Sequence, residues 1–146
     1  MSSFGPHLVG GIVAGGIGTS VAFGILPDPW YICCTPMIAG ICGALTPDMD
    51  IKSKSSQCMY ILFAGLAFYL WYIGRYDLTI ITLAYAIFPQ FFKHRGFIHS
   101  IIFGIASTGL LYYILNQMLF LNMSVSLTIG LTYLLGFITH LILDET

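Results

Sequence analysis

The chain has 146 residues, of which 58% are hydrophobic and only 8% are charged, and its mean hydropathy is +0.90. A soluble domain carries about 25% charged residues, so these charges are too few to cover a water-soluble globule of this size. The high hydrophobicity excludes a disordered chain, and the net charge of −1 excludes a strongly basic nucleic-acid-binding protein. The composition predicts an integral membrane protein with a single transmembrane domain, residues 1–146.

Six apolar segments follow one another when the chain is read with a window of about 19 residues. They cover residues 8–26, 30–46, 57–74, 77–92, 98–121 and 124–143. Lipid offers no hydrogen-bond partners to open strand edges, so these segments are predicted to be helices. The expected fold is an all-α, polytopic transmembrane helical bundle with about six membrane-embedded helices.

The first segment is rich in glycine and has no Lys or Arg before it. It therefore lacks the basic region of a signal peptide, and we expect it to remain in the mature protein as a helix. Gly11 and Gly15 form a GxxxG motif, in which small residues let a neighbouring backbone approach closely. We interpret this motif as a packing contact.

The four cysteines show no paired CxxC spacing typical of a zinc or redox site. They are Cys33, Cys34, Cys42 and Cys58. We expect them to be reduced thiols that act as small apolar side chains.

The basic residues between the segments predict the orientation in the membrane. Lys52, Lys54, Lys93 and Arg95 lie in the second and fourth breaks, and only Arg75 lies in an odd-numbered break. By the positive-inside rule the even-numbered breaks and both termini are cytoplasmic. This topology brings all four histidines, together with Asp48, Asp50 and Asp144, to the cytoplasmic membrane face.

The end of the sixth segment carries His140 and Asp144, which are four residues apart. On a helix this spacing places both side chains on one face. A carboxylate at the membrane is costly unless it is paired, protonated or bound to a metal. The pair fits a metal site, and it also fits a hydrogen bond that joins helix ends.

Asp48 and Asp50 follow the second segment in the sequence Pro47-Asp48-Met49-Asp50. Pro47 disfavours a continued helix, and an extended segment would place residues i and i+2 on the same side. Two carboxylates so close repel each other unless a cation or a proton lies between them. The alternative is a solvated loop in which an Asp caps the next helix.

The densest polar cluster is the stretch from Lys93 to Ser100. His94 and His99 are five residues apart, so they share a face only if the chain turns between them, and Gly96 permits such a turn. Ser100 is placed to cap the fifth segment, and Arg95 offers a positive charge for an anionic group such as a phosphate. The alternative is a basic loop that faces anionic lipid.

The converging side chains form an oxygen–nitrogen ligand set without cysteine. The predicted ligands are His7, Asp48, Asp50, His94, His99, His140 and Asp144. Such a set suits a divalent metal, with zinc favoured over manganese or iron. Seven ligands exceed the three of a typical catalytic zinc centre, so either two metals bind or some residues orient ligands or act as the general base.

Three motifs in this order resemble a known family: PDxD at residues 47–50, HRGxxHS at residues 94–100 and HxxxD at residues 140–144, after an early histidine at position 7. The family is the YdjM-like family of inner-membrane proteins, named for a LexA-regulated bacterial member and assigned as metal-dependent hydrolases. Members often continue past the last Asp into another apolar stretch. The resemblance implies a multi-pass bacterial or archaeal membrane protein, and a similarity to zinc-dependent phospholipase C sites implies a phosphodiester substrate.

The leading hypothesis is a metal-dependent hydrolase at the cytoplasmic face that acts on a phosphodiester or lipid-linked substrate. The predicted catalytic residues are His94, Arg95 and His99, with Arg95 holding the anion. Expected partners are membrane lipids and either a second copy or another membrane subunit, and no nucleic acid. A lipid phosphatase with a histidine nucleophile is disfavoured, because Tyr133 and Leu134 replace its Ser-Arg pair.

Two non-enzymatic alternatives stay open: a metal-stabilised membrane scaffold or subunit of a larger complex, and a metal-ion transporter. Transport normally places ionisable groups near the bilayer midplane along a path. Here they lie at the ends of the segments, which favours a site at the surface.

Overall fold

A computed structural model describes residues 4–26, 29–50, 53–92 and 96–145, apart from the side chains of Asp50 and Glu145. These residues form helices and turns without a strand, which confirms the all-α class. The helices are α1 (Phe4–Ile25), α2 (Trp30–Cys33), α3 (Thr35–Leu45), α4 (Lys54–Tyr72), α5 (Tyr76–Ile87), α6 (Ile101–Tyr113) and α7 (Met123–Glu145). Short 3-10 turns cover Thr46–Asp50, Phe88–Phe91 and Phe97–His99, and a π-helical turn covers Ile114–Met118.

The expected count of six membrane-embedded helices is too high. Four stretches of the described chain are long and apolar enough to cross a membrane: Phe4–Ile25, Trp30–Met49, Ile101–Met118 and Met123–Asp144. Helix α5 has 12 residues, which is about 18 Å of helix against a hydrocarbon core about 30 Å thick. Helix α4 has 19 residues but begins with the polar sequence Lys-Ser-Ser-Gln.

Glycines bring α1, α3 and α7 into close contact. A Cβ atom on Gly40 of α3 would lie 2.5 Å from the backbone nitrogen of Gly15 on α1. On the other side of α3, a Cβ atom on Gly136 of α7 would collide with the Gly40 carbonyl oxygen. Such contacts leave no room for a side chain, so these three helices form the tightly packed part of the bundle. The predicted packing role of Gly11 and Gly15 is confirmed, since both lie against the α3 backbone.

The segment after α3 is a 3-10 turn, Thr46–Asp50, and the extended conformation predicted for it is wrong. Pro47 is tolerated because the first turn of a helix does not require its missing N–H. A 3-10 helix has three residues per turn, so positions 48 and 50 do not share a side. The turn is stabilised by Tyr60 of α4, whose hydroxyl donates to the Met49 carbonyl at 2.5 Å.

Serine caps fix the starts of two helices beside this turn. The Ser53 side chain accepts from the Ser56 N–H while the Ser56 side chain accepts from the Ser53 N–H, which forms a capping box for α4. The Ser100 side chain accepts from the Phe103 N–H at 3.2 Å, so the predicted cap of the fifth segment is confirmed. The caps therefore fix the residues at which α4 and α6 begin.

An exposed ion pair lies at the opposite end of the bundle. Arg75 contacts Asp77 at 3.2 Å and also donates to the Met118 carbonyl at 3.1 Å. The hydrogen bond from Arg75 holds the pKa of the Asp77 carboxyl below its ordinary value. Exposed aromatic side chains surround this end, among them Trp30, Trp71, Tyr72 and Tyr76. Such residues are typical of a membrane–water interface, so this end lies at one interface and the 3-10 turn Thr46–Asp50 near the other.

Candidate metal centre

Five of the predicted ligands meet at one end of the bundle, although they come from four separate parts of the chain. His7 lies in the first turn of α1, Asp48 in the 3-10 turn after α3, His99 immediately before α6, and His140 and Asp144 near the end of α7. The convergence follows from alternating helix directions, which return each of these helix ends to the same side.

Asp144 contacts three histidines. Its Oδ1 atom lies 3.4 Å from His7 Nε2, and its Oδ2 atom lies 3.7 Å from His99 Nε2 and 3.9 Å from His140 Nε2. The contact with His140 is the i,i+4 pairing predicted from the sequence. The carboxylate therefore joins α1, α7 and the segment before α6.

His140 is completely buried at the centre of the group. Its Nδ1 atom lies 2.7 Å from the carbonyl oxygen of Ala44. A carbonyl only accepts hydrogen bonds, so Nδ1 carries the proton. In the neutral ring, Nε2 then has a free lone pair, and this atom faces Asp48 Oδ1 at 3.7 Å as well as Asp144. Fixing one ring nitrogen on a carbonyl in this way is typical of metal-binding histidines.

Asp48 is held by the start of α4. The Ser55 hydroxyl donates to Asp48 Oδ2 at 3.1 Å, which leaves Oδ1 directed at His140. Asp48 Oδ1 and His140 Nε2 are both buried and have no hydrogen-bond partner among the described residues. Buried polar atoms normally have hydrogen-bond partners. Because these two atoms face each other and have no such partner, the space between them is a candidate position for a ligand.

The burial of the group makes a cation favourable there. His7 is 2% exposed, Asp48 1% and His140 0%, while Asp144 is 11% exposed. Two carboxylates that are so little exposed to solvent repel each other, and burying their charges is energetically costly unless a positive charge compensates them. The His7 and His140 rings stack with their centroids 3.9 Å apart, and two protonated rings would repel at that distance. A divalent cation would compensate both carboxylates while leaving the histidines neutral.

The distances agree with the size of a zinc ion. Zinc binds nitrogen and oxygen ligands at about 2.0–2.2 Å, which separates neighbouring ligand atoms of a tetrahedral site by about 3.3–3.6 Å. The closest pairs here are 3.4–3.9 Å apart. These pairs are therefore within a few tenths of an ångström of the separation that a bound zinc ion would impose.

The ligand atoms form two overlapping groups. One consists of His7, His140 and Asp144, and the other of Asp48, His99 and His140; in each, the atoms lie within 4.8 Å of one another. The groups share His140. They could hold one ion with several donors around it; because only Nε2 of the shared ring can ligate, a second ion would have to be bound by the other donors.

Three predicted site residues are not placed by the structure. His94 and Arg95 lie outside the described residues, as does the side chain of Asp50, so their roles stay predictions. None of the four cysteines belongs to the His/Asp groups found in the described chain.

Two contacts that orient the predicted metal ligands were not predicted from the sequence. The Ala44 carbonyl offers no signal, because every residue has a carbonyl and the contact joins residues 96 positions apart. Ser55 did leave a signal, since the Ser53-x-x-Ser56 capping pattern fixes the start of α4. That start places Ser55 in the first turn, beside the segment that carries Asp48.

Neither the curated proteins nor the solved structures compared with this chain include a match. The family model for the YdjM inner membrane protein family matches residues 1–146. That match covers the segments that supply all five converging His and Asp side chains. The chain, a multi-pass membrane protein with His/Asp groups that could hold a metal ion, belongs to the YdjM inner membrane protein family.

Proposed function

We propose that the protein is a membrane-bound metal-dependent hydrolase that acts on a phosphodiester or lipid-linked phosphate at the cytoplasmic membrane face. The observation that carries this proposal is the buried His140 ring, whose Nδ1 is fixed by the Ala44 carbonyl while its Nε2 faces two carboxylates. A ring held in this state is prepared for a metal ion. Zinc is the favoured metal, since the donors are imidazole and carboxylate.

The number of donors supports catalysis. A catalytic zinc centre needs three protein ligands and an open position, and five side chains converge here. A bound metal would lower the pKa of a coordinated water to about 7 and polarise a phosphoryl oxygen. The side chains that do not ligate are then available to accept the proton. If Asp144 does not ligate, it is suited to that role, because it is the more accessible of the two described carboxylates in the centre.

A phosphate-containing substrate is proposed because basic residues precede His99 and because the centre lies near a membrane interface. His99 is preceded in the sequence by Lys93, His94 and Arg95, and a guanidinium matches the geometry of a phosphate. The centre lies at a helix end, near a membrane interface, where the phosphates of lipids are found. We therefore propose that Arg95 binds the phosphate and that His94 and His99 supply further ligation or acid–base catalysis.

The experiment is elemental analysis of the purified full chain beside the double variant His140→Ala/Asp144→Ala. We expect one or two equivalents of zinc, manganese or iron in the wild type and loss of the metal in the double variant, because the variant removes members of both groups. Asp77→Ala is the control, since this exposed carboxylate pairs with Arg75 at the opposite end. Metal retained in the double variant, or absent from the wild type after reloading, would contradict the proposal.

One observation favours a second candidate, a metal-stabilised scaffold. Structural metal sites are closed, and His7, Asp48 and His140 are almost fully buried. Turnover separates the two: the metal-loaded hydrolase is expected to cleave bis-p-nitrophenyl phosphate or a phospholipid. A scaffold would bind the metal and gain thermal stability without any turnover of these substrates.

A further inference from the structure

A large apolar cavity lies between the α4–α5 hairpin and helices α3, α6 and α7. Its volume is about 560 Å³, within the range of about 300–1,000 Å³ typical of ligand pockets. Helix α4 packs mainly along α5, and α6 mainly along α7, so the two pairs are separated by this space. None of the described residues that line it is charged.

The cavity runs along the bundle axis for about the length of one lipid tail. Met59 and Leu70 line it on α4, and they are separated by about three helical turns, or roughly 16 Å. One leaflet contributes about half of the 30 Å hydrocarbon core, or roughly 15 Å. The space therefore matches an extended chain that reaches from one interface to the bilayer midplane.

Part of the polar lining of the cavity is a hydrogen-bonded group of hydroxyls on the side of the metal centre. Tyr85 and Tyr133 share a hydrogen bond of 2.9 Å, and the Tyr133 hydroxyl donates to Thr46 at 3.1 Å. Thr46 in turn donates to the Cys42 carbonyl at 2.7 Å. Because these hydroxyls hydrogen-bond to one another, the cavity offers no path for an ion, and hydrocarbon is the chemistry that fits its walls.

The distance from these hydroxyls to the metal centre fits a lipid headgroup. Tyr133 precedes His140 on α7 by about two turns, or roughly 10 Å. The headgroup region of a bilayer is about 5–8 Å thick on each side. A lipid whose tail occupies the cavity would thus have its phosphate on the side of His140 and Asp144. Thr46 connects the two regions, since it lines the cavity and begins the turn that carries Asp48.

We propose that the cavity binds one hydrocarbon tail of a membrane phospholipid and so presents the lipid phosphate to the metal centre. This inference rests on the proposed function for the identity of the reacting group, and it narrows the substrate to a phospholipid whose tail lies in the cavity while its phosphate reaches the metal centre. The proposed route of entry is from the side, through the gap between the two helix pairs.

The test is photolabelling of the full chain in phosphatidylcholine nanodiscs. The probe is a trace of phosphatidylglycerol with a diazirine midway along one palmitoyl chain. We expect saturable labelling of cavity-lining residues such as Leu66, Ile81 and Leu111, read by mass spectrometry of peptides. Unlabelled phosphatidylglycerol is expected to compete, whereas palmitic acid is not, which separates the phospholipid from a free fatty acid.

Cavity-filling variants decide the result. Leu111→Trp on α6 and Leu66→Trp on α4 are expected to lose this labelling, because the indole occupies the space of the tail. Ile105→Trp is the matched control on α6, since Ile105 is 57% exposed on the outer surface of the described chain. Equal labelling of inner and outer residues, or labelling that survives both cavity variants, would overturn the proposal.

Zinc content measured on the same samples keeps the two proposals apart. Leu111→Trp with its zinc retained and its labelling lost supports the cavity independently of any reaction. A wild type that is labelled in the cavity but takes up no metal would overturn the hydrolase proposal and leave the lipid site standing. A wild type that holds metal but is not labelled in the cavity would overturn the lipid site and leave the metal-dependent hydrolase proposal standing.

Discussion

At the scale of single residues, His140 determines what the centre can do. It contacts Ala44, Asp48 and Asp144 and stacks on His7, so it connects three helices. The sequence predicted the pair His140 and Asp144 from its spacing, because a helix has a fixed period. His7 was the least supported ligand in the sequence, yet it lies 3.4 Å from Asp144. Only the packing of α1 on α7 could show that proximity.

Ser55 is a positioning residue for the metal centre. Ser55→Ala removes the hydroxyl that holds Asp48 Oδ2, so we expect metal affinity to fall by about 10–100-fold, as for other contacts that orient metal ligands. Competition with a fluorescent zinc chelator measures this change.

A structural role alone would lower thermal stability without changing the affinity of the folded protein. Ser55→Thr keeps the hydroxyl and is expected to restore binding. Ser20→Ala provides the control, since Ser20 is exposed and bonds only the Gly16 carbonyl of its own helix among the described contacts. An unchanged zinc affinity in Ser55→Ala would show that Asp48 needs no support from α4.

At the scale of helices, periodicity explains what the sequence could predict. The six apolar segments correspond to the main helices, because each carries a long apolar run. The conformation of residues 46–50 was mispredicted, since Pro47 is compatible both with an extended strand and with the first turn of a helix. Tertiary contacts, such as the hydrogen bond from Tyr60 to the Met49 carbonyl, favour the 3-10 turn over the extended conformation.

Gly40 is the glycine where α3 meets both of its neighbours. Gly40→Ala places a methyl group 2.5 Å from the Gly15 nitrogen and 2.7 Å from the Gly15 Cα atom, and this backbone cannot move away alone. We expect the free energy of unfolding to fall by about 1–3 kcal/mol, the usual range for overpacking. Thermal unfolding in detergent measures this loss.

Gly16→Ala is the matched control, because a Cβ atom there would meet no atom within 4 Å. This change is expected to be neutral or to stabilise α1 by up to about 1 kcal/mol, since alanine is a better helix former than glycine. Equal stability of the two variants would mean that α1 and α3 are not in close contact.

At the scale of the whole molecule, helix direction and charge predicted the meeting point of the ligands more reliably than hydropathy predicted the spans. Convergence needs only that successive helices return to the same side, and short breaks between apolar segments ensure this. The number of spans depends on length, and α5 is too short to cross the hydrocarbon core by itself. Hydropathy alone does not distinguish a short buried helix from a spanning one.

The orientation of the bundle is tested with two cysteine variants in a background without the native cysteines. Trp30→Cys lies at the start of the candidate span Trp30–Met49, at the end opposite the metal centre, and Phe91→Cys lies at the end that carries the metal centre; both side chains are exposed. The positive-inside rule predicts that the metal centre is cytoplasmic. A membrane-impermeant maleimide added to spheroplasts is therefore expected to label Trp30→Cys, and Phe91→Cys only after permeabilisation. The reverse pattern would place the centre on the outer face.

The pairing of His7 with Asp144 also has a consequence for biosynthesis. Translation produces α1 first and α7 after all the other described helices, while the ligand groups each need His140. No complete ligand set exists until α7 has been inserted and packed against α1 and α3. A chain that still lacks α7 would therefore have little means of capturing a metal ion, and a bound ion would mark a chain in which α7 is inserted and packed.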